Sequence, residues 1–292
     1  MKGRRAIYFE QAYRDYYSLL FSIAYRFLGT VSEAEDIVHD VFVSLESTDW
    51  SKVKHPQAFL SKAVSNRCIN VMKSAAKKKE VYVGTWLPEP FYKAENEPLD
   101  HIKRQEEMSY AYLVMLEVLS PLERVVYVLR ESYSFSYKDL SETIGKTEAN
   151  CRQLYSRAHR KIGRTHISEA KNTVQPIVAE QFIQALKQGN ISELVKLVTE
   201  DTVIQTDGGG KTRAATRSIS GIQRIFAFFK GIWSKGSFGD EQVPIKVNDE
   251  VAMMVVENAA PKAIWLFDVN PDTRTVMHIY GVLNPDKLPK II

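Results

Sequence analysis

The side chains with the clearest chemical potential lie in the segment SYKDLSETIGKTEANCRQLYSRAHRKI, residues 136–162. Gly145 is placed to end a short helix in the left-handed conformation, and Thr147 is placed to cap the next helix. From Cys151 onward this second helix is rich in arginine and lysine and has no acidic residue. Its apolar residues recur every fourth position, so one stripe packs inward. The pattern predicts a helix-turn-helix that binds DNA.

The outward-facing residues of the second helix are of the types that read DNA. Arginine pairs with guanine edges, and glutamine or asparagine pairs with adenine. Residues near the helix start are predicted to face base edges, and the later arginines to contact phosphates. A solvated basic helix in another all-α domain is the alternative interpretation. The candidates are Thr147, Glu148, Asn150, Arg152, Gln153, Ser156, Arg157 and Arg160, with Lys161 as a further phosphate contact.

Composition is that of an ordinary soluble globular protein. The 292 residues, 45% of them hydrophobic, predict two domains, or three if the helical units are small. Cys68 and Cys151 lie far apart without metal-ligand spacing, which favours a reduced cytoplasmic protein with no metal and no cofactor. The apolar run Tyr16–Leu28 contains Arg26 and is too short to span a membrane, so no membrane partner is expected.

The N-terminal part of the chain predicts three helices before a linker. Capping signals mark the second helix and a helix-starting proline marks the third. The predicted helices are Ala6–Leu28, which ends at Gly29, a second from the capping box Ser32–Glu35 to about Ser47, and a third from Pro56 to about Glu80.

Two candidate surfaces lie in and after the second helix. Glu33, Asp36 and Asp40 recur at i, i+3 and i+7 opposite the apolar side chains and form an acidic stripe. The loop Thr48–His55 and the basic third helix could hold an unstacked base and the phosphates around it. Packing in a small satellite core is an equally open role for Trp50. The candidates are Asp49, Trp50, Asn66, Arg67, Asn70 and Lys73, with Lys77–Lys79 as generic phosphate contacts.

The remaining chain predicts a linker, more helices and a separate α+β domain. Val83–Pro98 is proline-rich and reads as a linker, and Leu99–Ser132 is helical with a break at Pro121. Late strands after early helices indicate an α+β domain from about Val174. Its predicted helices are Val174–Gly189, Ile191–Thr199 and Ile222–Trp233, and its predicted strands are Val203–Thr206, Val243–Val247, Val251–Asn258, Ala263–Val269 and Arg274–Leu283.

Together these features resemble a group IV, or extracytoplasmic-function, sigma factor of bacterial RNA polymerase. The resemblance is carried by FSIAYRFLGTVSEAEDIVHDVFVSL (21–45), AFLSKAVSNRCINVMKSAAKKKE (58–80) and the segment from Leu119 to Ile162. Three more motifs resemble those of the subgroup with a C-terminal SnoaL-like extension, the SigJ-type factors. They are WLPEP (86–90), DGGGK (207–211) and NPDKL (284–288). The resemblance covers essentially the whole chain.

The resemblance implies a multidomain fold and a set of partners. It implies two all-α regions followed by a cone-shaped α+β SnoaL-like domain. The partners would be core RNA polymerase, through the β′ clamp helices and the β subunit, and promoter DNA. The implied domains are region 2 (1–82), a linker (83–105), region 4 (106–168) and the SnoaL-like domain (174–292). The acidic stripe would dock on the clamp helices, Asp49 to Lys73 would open and read the −10 element, and the helix-turn-helix would read the −35 element.

The resemblance also implies that the C-terminal domain regulates the rest of the chain in cis. The glycines of DGGGK would let backbone approach the linker or region 2 closely. NPDKL is expected to be an exposed tail that acts as a latch. The implied regulatory residues are Trp86, Asp207, Gly208, Gly209, Gly210, Lys211, Asn284, Pro285, Asp286, Lys287 and Leu288.

Two other classes of function remain open. A SnoaL-like cavity with a general acid or base would make the chain an enzyme on a DNA-binding arm, and Asp207, Asp268 and His278 are the candidate groups. No paired spacing raises these residues above structural roles, so the chain is not expected to be an enzyme. The second class is a one-component helix-turn-helix regulator whose SnoaL-like domain binds a small ligand. The acidic stripe and the aromatic loop favour the sigma factor.

Overall fold

The computed structural model describes residues 2–46, 48–50, 53–79, 82–92, 108–163 and 173–289. These residues divide into two compact units, which are described separately. The first holds the N-terminal helices and the helix-turn-helix. The second holds the linker residues 82–92, residues 108–112 and residues 173–289.

The first unit is built from α-helices. α1, α2 and α3 make the N-terminal bundle, and α5, α6 and α7 make the helix-turn-helix bundle after a short α4, whose first three residues belong to the second unit. Their bounds are α1 Lys2–Leu28, α2 Val31–Ser44, α3 Pro56–Lys79, α4 Tyr110–Leu116, α5 Pro121–Glu131, α6 Tyr137–Ile144 and α7 Glu148–Ile162.

Two buried arginines link α1 to the helix-turn-helix bundle inside this unit. Arg26 is 2% exposed and donates from Nη1 to the hydroxyls of Ser22 and Tyr133. Arg124 is 5% exposed and donates to the carbonyl oxygen of Phe27 at 2.9 Å. Buried charges of this kind are tolerated because each guanidinium is hydrogen-bonded.

The start of α2 corrects the predicted capping box. The N-cap is Thr30, whose hydroxyl donates to Glu33 at 2.7 Å, and Ser32 lies inside the helix. Gly29 has a φ of 70° and ends α1, so Thr30 is the first residue in the extended conformation that an N-cap takes. The predicted end near Ser47 is also wrong, since α2 ends at Ser44.

The helical stretch predicted for Leu99–Ser132 is two helices within the described residues. Pro121 occupies the first position of α5 behind a capping box formed by Ser120 and Glu123. A proline there lacks only an amide that would have no helical partner, so it begins α5 and does not break a longer helix. The part of the prediction before residue 108 lies outside the described residues.

The second unit has a six-stranded sheet with the order β2-β1-β6-β5-β4-β3. β1 pairs with β6 in parallel, and the other neighbours are antiparallel. One face packs on three helices through a core that includes Phe182, Phe229 and Trp265. The bounds are α8 Gln175–Lys187, α9 Ile191–Leu197, β1 Val198–Asp207, β2 Ile219–Ser220, α10 Ile222–Ser234, β3 Glu241–Val247, β4 Glu250–Glu257, β5 Ala260–Val269 and β6 Val276–Val282.

This architecture confirms the fold class, while the edges of several elements differ from the prediction. β1 begins at Val198, where a helix was expected to continue to Thr199. A register shift between Val198 and Val203 hides the alternation there, and the Thr202 hydroxyl bonds to the carbonyl of Val276 at 2.6 Å. The two-residue strand β2 was not predicted, because two residues carry no measurable period.

Candidate functional site

The helix-turn-helix is fixed by local hydrogen bonds. Ser136 and Asp139 form a reciprocal cap at the start of α6, and Gly145 ends that helix with a φ of 66°. The Thr147 hydroxyl then accepts a hydrogen bond from the Asn150 amide and caps α7. Leu154, Ala158 and Ile162 of α7 face inward, as their four-residue spacing predicts, and Cys151 is buried beside them. The turn therefore places one side of α7 on the surface.

Most of the predicted DNA contacts lie on that exposed side. Gln153, Ser156 and Arg160 lie near its centre, opposite the buried stripe, because successive residues turn by about 100° along a helix. Arg152 is also exposed but lies on the flank, where it pairs with Glu148 at 3.0 Å. The other predicted contacts, Thr147, Asn150 and Arg157, are exposed, and Glu148 is half-buried.

Lys161 has an internal partner that the sequence did not indicate. Its ammonium lies 2.7 Å from Glu123, the capping carboxylate of α5. Burial acts to raise the pKa of Glu123, but the donors Lys161 and Ser120 outweigh it and leave the pKa lowered. Lys161 therefore joins α7 to α5, and contact with a DNA phosphate would compete with this bond.

The acidic stripe of α2 lies where its spacing predicts. Glu33, Asp36 and Asp40 are exposed, while Ile37 and Val41 on the opposite face are buried. Asp40 lies 3.7 Å from Arg67 of α3, so this carboxylate also joins the two helices. The stripe presents negative charge outward, as a surface for a basic partner would.

The side chains predicted to hold open DNA are brought onto the loop after α2 and one face of α3. Asn66, Asn70 and Lys73 are exposed on α3 at helical spacing, and Arg67 is half-buried beside them. The Trp50 ring packs edge-on against Phe59 with centroids 6.4 Å apart, which favours a packing role for Trp50 in this state. The side chains of residues 77–79 lie outside the described residues.

A groove of about 580 Å³ opens beside this loop within the first unit. The loop and α3 contribute basic side chains, and α6 contributes acidic ones. The lining includes Asp49, Lys54, His55, Phe59, Lys62, Asp139 and Glu142.

A second site is formed around the buried carboxylate of Asp207 in the second unit. Asp207 is fully buried and accepts hydrogen bonds from the Tyr82 hydroxyl at 2.6 Å and from the Leu87 amide at 2.9 Å. The ammonium of Lys287 lies 2.8 Å from the same carboxylate and also donates to the Leu87 carbonyl oxygen. Four donors, counting the Gly209 amide at 2.9 Å, therefore satisfy this buried charge. We call this the linker site.

The three motifs WLPEP, DGGGK and NPDKL meet at the linker site. The Lys287 ammonium lies 4.0 Å above the Trp86 ring, a cation–π distance. Lys211 pairs with Asp286 at 2.6 Å on the surface. A Cβ on Gly209 would lie 2.4 Å from the Asn284 side chain, so glycine is required where DGGGK and NPDKL touch.

The structure corrects the expectation that NPDKL is an exposed tail. Asn284 and Lys287 are 4% and 7% exposed. Asn284 donates to the Tyr82 hydroxyl at 3.1 Å and caps a short 3₁₀ turn, Pro285–Lys287, while Pro285 and Asp286 are exposed and Leu288 is half-buried. The charges in the motif suggested solvent, but one lysine is neutralised in the interior by Asp207. Burial and the bond to Asp207 raise the pKa of Tyr82, so this phenol stays a donor.

Further contacts hold the linker against the sheet and its edge strand β3. Phe91 and Asn248 exchange hydrogen bonds through the Phe91 amide and carbonyl groups. The Tyr110 amide donates to Glu250 at 3.0 Å, and the Tyr110 hydroxyl donates to the Pro88 carbonyl. The sequence analysis missed the roles of Tyr82, Tyr110 and Glu250. The feature that could have indicated them is Glu250 itself, a carboxylate at the start of the otherwise apolar strand β4.

The candidate catalytic groups do not line an interior cavity. Phe267 and Val269 of β5 point into the core between sheet and helices, so Asp268 points to the opposite face, where it bonds to His278 at 2.9 Å. Asp207 is buried under the linker. A cavity in the core beside Phe182 and Phe229 has only about 10 Å³. These positions give no support to the alternative in which the three side chains act as catalytic groups inside a cavity.

The described residues contain no group of three or more His, Cys, Asp or Glu side chains arranged to bind a metal ion. The same part of the chain has no helix that combines the length and apolarity needed to cross a bilayer.

Comparison with known proteins agrees with this geometry. Residues 12–78 match the model of Sigma-70 region 2, and residues 109–162 match that of Sigma-70, region 4. The chain is 30% identical to the ECF RNA polymerase sigma factor SigJ of Mycobacterium tuberculosis over 92% of this chain and 89% of that protein. It is also 30% identical to the probable ECF sigma factor SigI of the same species over 64% of this chain and 66% of that protein.

Similarity at the level of structure extends along the chain. The crystal structure of the M. tuberculosis extracytoplasmic function sigma factor SigJ matches with a TM-score of 0.77 and 29% identity, covering 94% of this chain and 96% of that chain. The match includes the α+β region as well as the helices. The chain belongs to the extracytoplasmic-function family of RNA polymerase sigma factors.

Proposed function

We propose that the C-terminal unit regulates this sigma factor in cis by holding the polypeptide that joins region 2 to region 4. As a sigma factor, the chain binds core RNA polymerase and directs promoter-specific initiation. The main support for this regulation is the linker site, where the fully buried Asp207 bonds to the side chain of Tyr82 and the backbone of Leu87. We propose no catalytic reaction for this chain. Because its partner is RNA polymerase, we propose that it acts in the cytoplasm.

The length of the linker explains why holding it matters. The −10 and −35 elements are about 25 base pairs apart, or roughly 85 Å of B-DNA. Residues 80–109 could span about 100 Å if fully extended, which is enough to connect regions on both elements. With residues 82–92 and 108–112 bonded to one sheet, that reach is no longer available to the chain. Release of the linker would restore it.

Two features make this restraint strong but reversible. The contacts lie within one polypeptide, so the effective concentration of the partners is high. They also satisfy a buried charge, so the loss of one donor makes the whole arrangement less favourable. Binding of core polymerase supplies the competing free energy.

We further propose roles for the surfaces of the first unit. The acidic stripe Glu33, Asp36 and Asp40 docks on the β′ clamp helices, where exposed carboxylates steer a basic partner. Asn66, Asn70 and Lys73, with Arg67 and Asp49, contact the −10 element, while α7 reads the −35 element. Support for these roles comes from exposure, charge and the matches to regions 2 and 4.

Run-off transcription with core polymerase tests the restraint. We expect Asp207→Ala, and deletion of the residues after Asn284, to raise transcription at limiting core concentration because each frees the linker. Lys211→Ala is the matched control, since it breaks only the exposed pair with Asp286. Equal transcription from all four proteins over a range of core concentrations would show that the C-terminal unit does not regulate.

A further inference from the structure

We propose that Tyr137 is a positioning residue for −35 recognition, which holds the guanidinium of Arg152 in the orientation that reads a base. Tyr137 lies on α6, the helix before the recognition helix, and its ring centroid is 4.8 Å from Cζ of Arg152. The inference rests on the base-reading role proposed above for α7, and it assigns part of the specificity to a residue outside α7.

Two contacts fix Arg152 from different directions. Its Nη2 donates to Glu148 one turn earlier on α7 at 3.0 Å, and its guanidinium also lies against the Tyr137 ring on α6. A long exposed side chain otherwise samples many rotamers, and its planar fork must be aligned to pair with both acceptors of a guanine. The aromatic face and the carboxylate together restrict that fork.

Tyr137 is itself held by groups from the two neighbouring helices. The Arg130 guanidinium lies 4.2 Å from its ring centroid and donates to the Phe135 carbonyl at 2.9 Å. Tyr155 meets the same ring edge-on at 6.3 Å, and its hydroxyl donates to Glu131 at 2.5 Å. The ring is therefore a fixed platform, half-buried among α5, α6 and α7.

This arrangement separates specificity from general affinity. A bidentate contact to a base requires a defined orientation of the guanidinium, whereas a phosphate contact tolerates several. Loss of the Tyr137 ring should therefore weaken the preference for the correct base without weakening binding to every sequence. A cation–π contact at an exposed site corresponds to about a 2- to 5-fold effect on an equilibrium.

The test uses holoenzyme reconstituted from core polymerase and the full-length chain. Run-off transcripts from a promoter library randomised over the −35 element are sequenced for wild type, Arg152→Ala, Tyr137→Leu, Tyr137→Phe and the double variant Tyr137→Leu with Arg152→Ala. Circular dichroism and thermal unfolding of each chain check the fold. Tyr137→Phe is the matched control, because it keeps the aromatic face.

We expect Tyr137→Leu to lower discrimination about 2- to 5-fold at the same −35 position as Arg152→Ala. Tyr137→Phe should keep the wild-type preference, and the double variant should lose no more than Arg152→Ala alone. A uniform loss of transcription from every library member, or an unchanged preference, in Tyr137→Leu would overturn the positioning role. An unchanged preference in Arg152→Ala would instead remove the base-reading role of Arg152, and with it the inference.

Discussion

The recognition helix and the linker site both depend on charged side chains, and they use them in opposite ways. On α7, Arg157 and Arg160 are exposed and remain available to a molecule outside the protein. In the second unit, Asp207 and Lys287 are 0% and 7% exposed and bond to each other. The exposed charges suit recognition of a partner. The buried pair instead stabilises one conformation of the chain itself.

The two regions also differ in how far their contacts reach along the chain. The cap of α7 joins Thr147 to Asn150, three residues apart. The linker site joins Leu87 to Asp207, 120 residues apart, and Leu87 to Lys287, 200 residues apart. A local structure can form whenever its helix forms, but the linker site requires the second unit to be complete. The proposed regulation would therefore act on the linker without unfolding the proposed DNA-binding surface.

The largest expected effect follows from reversing exposed charge. The triple change Glu33→Lys, Asp36→Lys and Asp40→Lys should abolish capture of core polymerase in a pull-down, because like charges then face the partner. The fold should persist by circular dichroism, since all three side chains are exposed. Charge reversal at the exposed Glu180 and Glu200 is the control. Normal capture by a folded triple variant would contradict the assignment of the docking surface.

The next largest effect should come from buried charge. Lys287→Met leaves the Asp207 carboxylate buried without its cation, and removal of one member of such a pair costs about 3–5 kcal/mol. Hydrogen exchange over residues 82–92 should rise accordingly. Lys211→Met, which breaks an exposed pair, should change protection by about 0–1 kcal/mol. Equal protection in the two variants would remove the contrast between buried and exposed lysines.

Within the exposed surface, two residues of α7 should behave differently. Gln153→Ala should relax specificity at one or two −35 positions by about 1–3 kcal/mol, because Gln153 is exposed and lies nearer the start of the helix than Arg160. Arg160→Ala should weaken binding evenly across sequences and reduce its salt dependence. Binding of holoenzyme to −35 variants at two salt concentrations measures both. A uniform loss in Gln153→Ala would show a phosphate contact in place of base reading.

The effect confined to the stability of the second unit should be a pH dependence centred on Glu250. Burial raises its pKa from the ordinary 4.5 to about 7, with Asp268 adding to the shift and the Tyr110 amide opposing it. The pKa of Glu250 is higher in the folded chain than in the unfolded chain. The stability that protonated Glu250 contributes is therefore complete below pH 4.5 and is lost as pH rises through 7. Glu250→Gln keeps an acceptor for Tyr110 and should remove this component from thermal melts recorded between pH 5 and 8. Identical pH profiles for the two proteins would contradict it.

The sequence predicted the fold class and the first unit well because the signals there are local. The cap at Thr147, the turn at Gly145 and the stripe of Leu154, Ala158 and Ile162 all lie within a few turns of helix. The exposed positions of the acidic stripe follow from the same period. The register shift in β1 and the two-residue β2 leave no such period, and their edges were missed.

The interior of the linker site was less predictable. The sequence indicated its three motifs, but it did not indicate Tyr82 or the burial of Lys287. Burial of Lys287 was not expected because a lysine is almost never fully buried unless it is paired. Nothing in the sequence near residue 287 indicates that its partner lies 80 residues earlier. Expectations based on charge alone therefore placed NPDKL in solvent.

The position of β6 in the sheet has a consequence for the order in which the protein becomes functional during synthesis. β6 lies between β1 and β5, so the sheet lacks an inner strand until Val276–Val282 has left the ribosome. Lys287 follows only after that. N-terminal domains fold first during translation, so the helices that meet polymerase and DNA can form while the linker is still unrestrained. A nascent chain is thus least restrained just before its last strand is inserted.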